Sequence, residues 1–404
     1  MLRTGTTPRF AIRAIALLGL LLCFCSTSNA SGAPLASAYK RFIAAENAFS
    51  LACDTTGAAW TWGWNNSGQI GRGVNPDQLV PYKIPGLSGV VAVAAGYSAS
   101  MAVTSGGSVF GWGLNGSGQL GTGETGSHWS PVPTGFTNIK AVSMYTHTLA
   151  LAKDGTVWVS GANGNGQLGL GTTDSRSTPA QIPGLSGVQA VEAGIGFSLA
   201  LKTDGTVWAW GYNFAGQLGL GDTGDRWSPI QIPGLSGVVA ISAIGSHCLA
   251  LDNQGAVWAW GLNDNGQLGT GDTSPRYSPV KLNGLPPMQA VATGNYHSMA
   301  LAAGGVPWAW GGNSGGQLGT GDYNNRTVPV QSPPGKSGYA TLTAGVGHSL
   351  AVDNAGGVWA WGTNAHGCFG DGGTNSSPSP VRTLSTLRLP SPGSTAASML
   401  LLGN

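Results

Sequence analysis

Charged side chains are scarce in this chain of 404 residues. Asp, Glu, Lys and Arg supply 8% of it, and the formal net charge is +2, where soluble domains carry about 25%. With no basic stripe to follow a phosphate backbone, nucleic acid is not an expected partner. Cysteine is scarce too: five residues, two of them in the first thirty, with no C-x-x-C. Cys53, Cys248 and Cys368 therefore read as buried free thiols or as one disulfide and a leftover. The H-E-x-x-H and P-loop patterns are missing, and no two carboxylates are placed as an acid/base pair. No catalytic residue, cofactor or metal is expected, and the chain does not read as an enzyme.

Long apolar runs are missing as well, apart from "AIALLGLLLCFC" near the start. Arg3, Arg9 and Arg13 precede that run, and small residues at Ser28 and Ala30 follow it. This is the layout of a secretory signal cut after Ala30, and the run is short for a membrane span. Removing it takes three arginines and no acid, so the charge falls to about −1. The organisation expected is a signal over 1–30, a linker over 31–40 and a single domain over 41–404. The protein would then be secreted or periplasmic, monomeric and without stable membrane insertion.

Glycine and tryptophan are abundant: 68 and 15 residues. So much apolar surface argues against disorder despite the glycine. The glycines belong to one unit repeated seven times, from "WGWNNSGQIGRG" through "AWGLNDNGQLGTG" to "AWGTNAHGCFGDG". Its asparagines are Asn65, Asn115, Asn163, Asn213, Asn263, Asn313 and Asn364, at spacings of 50, 48, 50, 50, 50 and 51. The "GNGQLG" at 164–169, which matches a dinucleotide fingerprint, is a fragment of this unit. Proline and a short apolar strand follow it where a helix is required, so the fingerprint does not apply.

One unit, "VVAISAIGSHCLALDNQGAVWAWGLNDNGQLGTGDTSPRYSPVKLNGL", holds four short strands: VVAIS, HCLAL, VWAWG and SPVKL. Period-two alternation and D-G or N-x-G turns mark the middle hairpin. Seven such units predict an all-β, seven-bladed propeller of about 50-residue repeats. Trp60, Trp158, Trp208, Trp258, Trp308 and Trp359 share one position of the third strand, with Phe110 in the second repeat. Trp62, Trp112, Trp210, Trp260, Trp310 and Trp361 share the position two residues on, with Ser160 in the third repeat. Residues two apart lie on one face, and that face is expected to pack on the adjoining blade. A sugar- or cofactor-stacking role is the alternative, but a ligand box need not recur in every blade.

The W-G-x-N-x-x-G-Q-L-G-x-G core, the S-P-V after it and "GHSLAV" or "YHSMAL" before each D-G turn resemble the regulator of chromosome condensation repeat family. The resemblance covers almost the whole chain after the leader and implies a seven-bladed propeller. The family's founding member is a nuclear exchange factor that binds a small GTPase and chromatin, a role that does not suit a chain with a secretion signal. The family's secreted bacterial branch includes a propeller that inhibits β-lactamases through one face, so the resemblance implies a protein-binding module. Ring closure stays open, because either terminus could supply the sealing strand.

Strand order puts the G-x-x-H turns and the long W-G-x-N to S-P loops on one face. The D-G turns and the monotonous "IPGLSGV" connections fall on the other. The first face varies and carries aromatics: Trp64, Tyr97, Trp129, Tyr145, Tyr212, Phe214, Trp227, Tyr277 and Tyr296. Clustered exposed aromatics suggest recognition of a protein, or of a carbohydrate or cell surface by ring stacking. The bland reading tucks them against neighbouring loops. His147, His247, His297 and His348 share one repeat position; symmetry spaces them too widely for one metal, and a structural hydrogen bond at the turn is expected. Asp222, Asp272 and Asp322, each four residues before Arg226, Arg276 and Arg326, read as loop-stiffening pairs. "DTTGAAW" at 54–60 is faintly like a quinoprotein motif, but it occurs once.

Overall fold

The computed structural model describes residues 42–73, 75–333, 335–383 and 387–390. The expected signal and linker lie outside those residues. Seven four-stranded antiparallel sheets follow one another along the chain, each with its strands in sequence order. They span residues 43–83, 90–133, 139–181, 188–231, 238–281, 288–331 and 339–382. The chain is an all-β seven-bladed propeller. In the fifth blade the strands are Val238–Ala243, His247–Asp252, Val257–Gly261 and Arg276–Lys281, matching the four segments read from the repeat. No helix among the described residues is long and apolar enough to cross a membrane.

A single short sheet has two apolar faces and cannot cover either alone, so the core forms between blades. At the junction of the third and fourth blades, Leu149, Leu151, Val159 and Leu168 meet Val188, Val191, Ala200 and Trp210. Trp62, Trp112, Trp210, Trp260, Trp310 and Trp361 are fully buried at six such junctions. Burying each ring contributes on the order of 2–3 kcal/mol. Trp208, Trp258, Trp308, Trp359 and Trp60 are half-buried on the same side of their strands, packed against the same clusters, and Trp158 packs at the junction of the second and third blades. Three of them end on a carboxylate: Nε1 of Trp60, Trp258 and Trp359 donates to Asp54, Asp252 and Asp353 at 2.8, 3.0 and 2.9 Å.

Glycine is obligatory under these rings. Gly169 has φ +70°, and a Cβ there would lie 2.8 Å from Nε1 of Trp210. The third blade breaks the series, since it has Ser160 in place of tryptophan. Phe136 fills the room from the preceding connection, its ring over Gly121 where the other junctions place tryptophan. Ser160 Oγ meanwhile makes the hydrogen bond that an indole would make.

Both termini close the ring. The inner strand of the first blade, Ile43–Glu46, is shorter than its six-residue equivalents. Its missing lower end is supplied by residues 387–389. Leu389 N donates to Gly356 O at 3.1 Å and Thr55 N to Arg388 O at 3.3 Å. These bonds repeat Val90 N to Gly57 O and Ser105 N to Gly89 O at a junction the chain passes through. Leu387 and Leu389 are buried with Ile43, Trp62, Val358 and Phe369.

Candidate functional site

The loop face is built on the repeated asparagine. In the second blade, Asn115 Oδ1 accepts from Leu120 N at 2.9 Å while Nδ2 donates to the carbonyls of Glu124 and Gly126. Gln119 Oε1 accepts from Ser117 N at 3.0 Å. A fully buried Asn and a Gln thus satisfy the polar groups of a long loop that has no sheet to pair with. Asp222, Asp272 and Asp322 meet Arg226, Arg276 and Arg326 at 2.6, 2.7 and 2.6 Å. The same Asp residues accept from the Asn of their own repeat. The loops are therefore rigid platforms.

The glutamine carbonyl is the hub between blades. Gln167 O accepts from Trp210 Nε1 at 2.9 Å and from Ser198 Oγ at 2.8 Å, both in the next blade. Since that serine donates its proton to the carbonyl, it accepts from His147 Nε2, 2.8 Å away. His247 and His297 repeat this with Ser298 and Ser349 at 2.8 and 2.9 Å, and His348 with Ser50 at 3.3 Å. The histidine bond therefore crosses to the next blade, whereas the repeat pattern alone placed it at the turn. Burial keeps the rings neutral, with pKa pushed down to about 3 for His147, His247 and His297 and about 4 for His348. Among the described residues no group of three His, Cys, Asp or Glu could hold a metal. Cys53, Cys248 and Cys368 are buried free thiols.

The nine aromatics singled out in the sequence divide by height and exposure. Trp129, Trp227 and Tyr277 open the outer strands of their blades, each seated over a glycine of the preceding blade: Gly68, Gly166 and Gly216. They are partly tucked, as the bland reading held, yet Trp227 remains 53% exposed. Phe214 is 74% exposed and lies nearly parallel to the half-buried Tyr212, with ring centroids 6.4 Å apart and planes at 11°. Trp227, Phe214 and Tyr212 of the fourth blade and Tyr277 of the fifth thus form an aromatic arc, with Trp227 seated on the third blade's Gly166. Trp64 stands apart, against His366 at 5.3 Å, where His366 Nδ1 meets Asp77 Oδ2 at 2.8 Å. Nearer the axis, Tyr97 and Tyr145 meet edge to face at 5.8 Å, and Tyr296 is partly exposed. The repeat pattern missed Tyr323, 54% exposed beside Asp322. Its signal was available: an aromatic inside the variable loop of the sixth repeat.

The axial cavity is lined by Ala44, Ala94, Val142, Val191 and their neighbours on the inner strands, and it holds about 140 Å³. Small-molecule sites usually need roughly 300–1,000 Å³.

A profile of the RCC1-like domain matches residues 26–245. The regulator of chromosome condensation (RCC1) repeat matches residues 254–301 and 305–352, and a second profile of that repeat matches 238–267. No curated protein matches the chain by sequence. Among solved structures the chain is similar to human WBSCR16, at 25% identity and TM-score 0.74, over 81% of this chain and 95% of that one. It is also similar to yeast RCC1 (Prp20) from the complex with Kap60, at 22% identity and TM-score 0.73, over 83% and 85%. A structure of Prp20p from Saccharomyces cerevisiae, described with its binding to Gsp1p and histones, matches at 22% and 0.71, over 83% and 87%.

Proposed function

The chain belongs to the RCC1-repeat family, and from that premise we propose that it is an exported, non-enzymatic propeller that binds a protein through its loop face. The observation that carries this reading is the contrast between faces. One face repeats "IPGLSGV" at three of its six connections, while the other carries Trp227, Phe214 and Tyr277 partly exposed on hydrogen-bonded loops. Rigid aromatics lose little entropy on binding and dominate interface energies. Propellers of this family commonly mediate protein binding, and the similar yeast protein is solved bound to Kap60. Export rests on the basic and apolar leader, whose cut after Ala30 N-terminal sequencing of the exported chain would locate.

The test is capture of envelope and secreted proteins by the chain starting at Ser31, beside a folded variant with Trp129, Trp227 and Tyr277 changed to alanine. A protein that binds the native chain saturably and the variant at least about tenfold more weakly supports the reading. The near-parallel Tyr212 and Phe214 pair favours one second reading, a carbohydrate stacked on the same face. Retention on a polysaccharide resin, released by free sugar, in the absence of any protein partner would replace the first reading with the second.

A further inference from the structure

Each inner strand ends, on the loop-face side, at a short turn close to the axis. Where the second, fourth, sixth and seventh blades carry Gly96, Gly194, Gly294 and Gly345, the first carries Glu46. Its side chain is buried, with the residue 1% exposed, and its Oε1 has no protein partner. The backbone amide of Asn47 donates to the carboxyl. Strand alternation puts Glu46 with Ala44 on the side facing the second blade, since Ile43 and Ala45 pack towards the seventh. On that side Tyr97 and Tyr145 form their edge-to-face pair, and Asn47 Nδ2 ties the turn to Tyr97 O at 3.1 Å. The Tyr145 phenol is held above its ordinary range by burial first, and then by Glu46, Tyr97 and Tyr296 together. Residues of the first, second and third blades therefore meet at the mouth of the axial channel, with Tyr296 of the sixth near enough to act on Tyr145.

We propose that this mouth is a binding site for a protonated primary amine, its ammonium taken by the Glu46 carboxylate and walled by Tyr97, Tyr145 and Tyr296. A buried carboxylate lacking a counter-charge is costly. An ammonium brings that charge and three donors for the orphan Oε1 and the phenolic oxygens, and tyrosine faces attract cations. Tyr97 and Tyr296 are themselves exposed to solvent. Without a ligand, burial raises the Glu46 carboxyl to about 8, the Asn47 amide opposing. Besides the three tyrosines, the titratable group beside this turn is His348 of the seventh blade, held neutral by burial. Binding at neutral pH therefore displaces the Glu46 proton to solvent, and the amine keeps its own. The site is independent of the aromatic arc. Its ligand is a free amine or a lysine side chain of a protein partner, one chemistry with two sources.

The test titrates n-butylammonium into the chain starting at Ser31, with n-butanol as the uncharged control. Saturable binding of the cation alone is expected, tightening about tenfold per pH unit between 6 and 8 as the displaced proton becomes easier to lose. In the Glu46→Gln variant, checked for folding by its melting curve, binding should fall at least about tenfold and lose its pH dependence. Tyr97→Leu should weaken it severalfold and leave the pH slope intact. Absence of saturation, equal binding by Glu46→Gln, or a flat pH profile in the native chain would each overturn the proposal. Displacement of a captured protein partner by n-butylammonium identifies the amine as a lysine; binding of the cation without displacement identifies a free amine.

Discussion

Six junctions of this ring are crossed by the chain itself, and the seventh, between the last blade and the first, is not. The chemistry at the seventh is nonetheless the same. Trp62 Nε1 and Ser50 Oγ donate to Cys368 O at 2.8 and 3.0 Å, as Trp210 and Ser198 do to Gln167 O. The carbonyl is what matters, which is why cysteine serves where the other repeats use glutamine. The difference lies in the connection. Elsewhere one peptide passes from blade to blade, while here residues 387–389 must dock from the end of the chain. A closed ring without covalent closure depends on side-chain burial at one seam, and that seam is where the molecule should open first.

The largest test is to end the chain after Thr383. Losing the burial of Leu387 and Leu389 should cost on the order of 4 kcal/mol or more, read as a lower urea midpoint. Limited proteolysis should then cut first in the first or seventh blade. An unchanged midpoint would mean that the Trp62 and His348 contacts alone hold the seam. Next in size is Trp210→Ala, expected to cost about 3–5 kcal/mol. Phe136→Ala should cost a similar amount if Phe136 stands in for the missing tryptophan of the third blade, and near-neutrality would refute that substitution.

A pH effect comes third. The four buried histidines have folded pKa values of about 3 to 4, below the unfolded value of 6.5. The unfolded chain therefore binds more protons below pH 6.5, and stability is lost as pH falls from about 6.5 towards 3. Glu46 acts in the opposite sense. Its folded pKa of about 8 exceeds the unfolded 4.5, so its contribution is full below 4.5 and lost as pH rises through 8. Melting curves should show His297→Gln flattening the acid limb and Glu46→Gln removing a decline that runs from about pH 4.5 to 8. The smallest effect belongs to Arg276→Ala. Asp272 is exposed and Arg276 half-buried at the surface, and surface pairs contribute little, so the melting temperature should not move measurably.

The junctions were legible in advance because they repeat. Trp210 and Trp260 sit 50 residues apart in identical surroundings, and a period of that length with two-residue alternation has few other solutions. Where the repeat breaks, the sequence went silent. Nothing in "TGFTNIK" marks Phe136 as the replacement for a ring missing at Ser160, because the two are joined only across a junction. Likewise His147 reads as a turn residue, and its partner Ser198 lies one blade away. The aromatics on the variable face were identifiable by type. Their exposure was not, since Tyr212 and Phe214 are two residues apart and differ in burial through what the neighbouring loops cover.

What this sequence determined by itself is the unit and its number: local alternation, D-G turns and the Asn-Gln loop close within about fifty residues, and seven copies of such a sheet must stack to hide both apolar faces. The tertiary structure alone decided how the ring closes, which ring fills the third blade, and where Tyr97 of one blade meets Tyr145 of the next. Those outcomes depend on contacts between residues far apart in the chain, which no local pattern encodes.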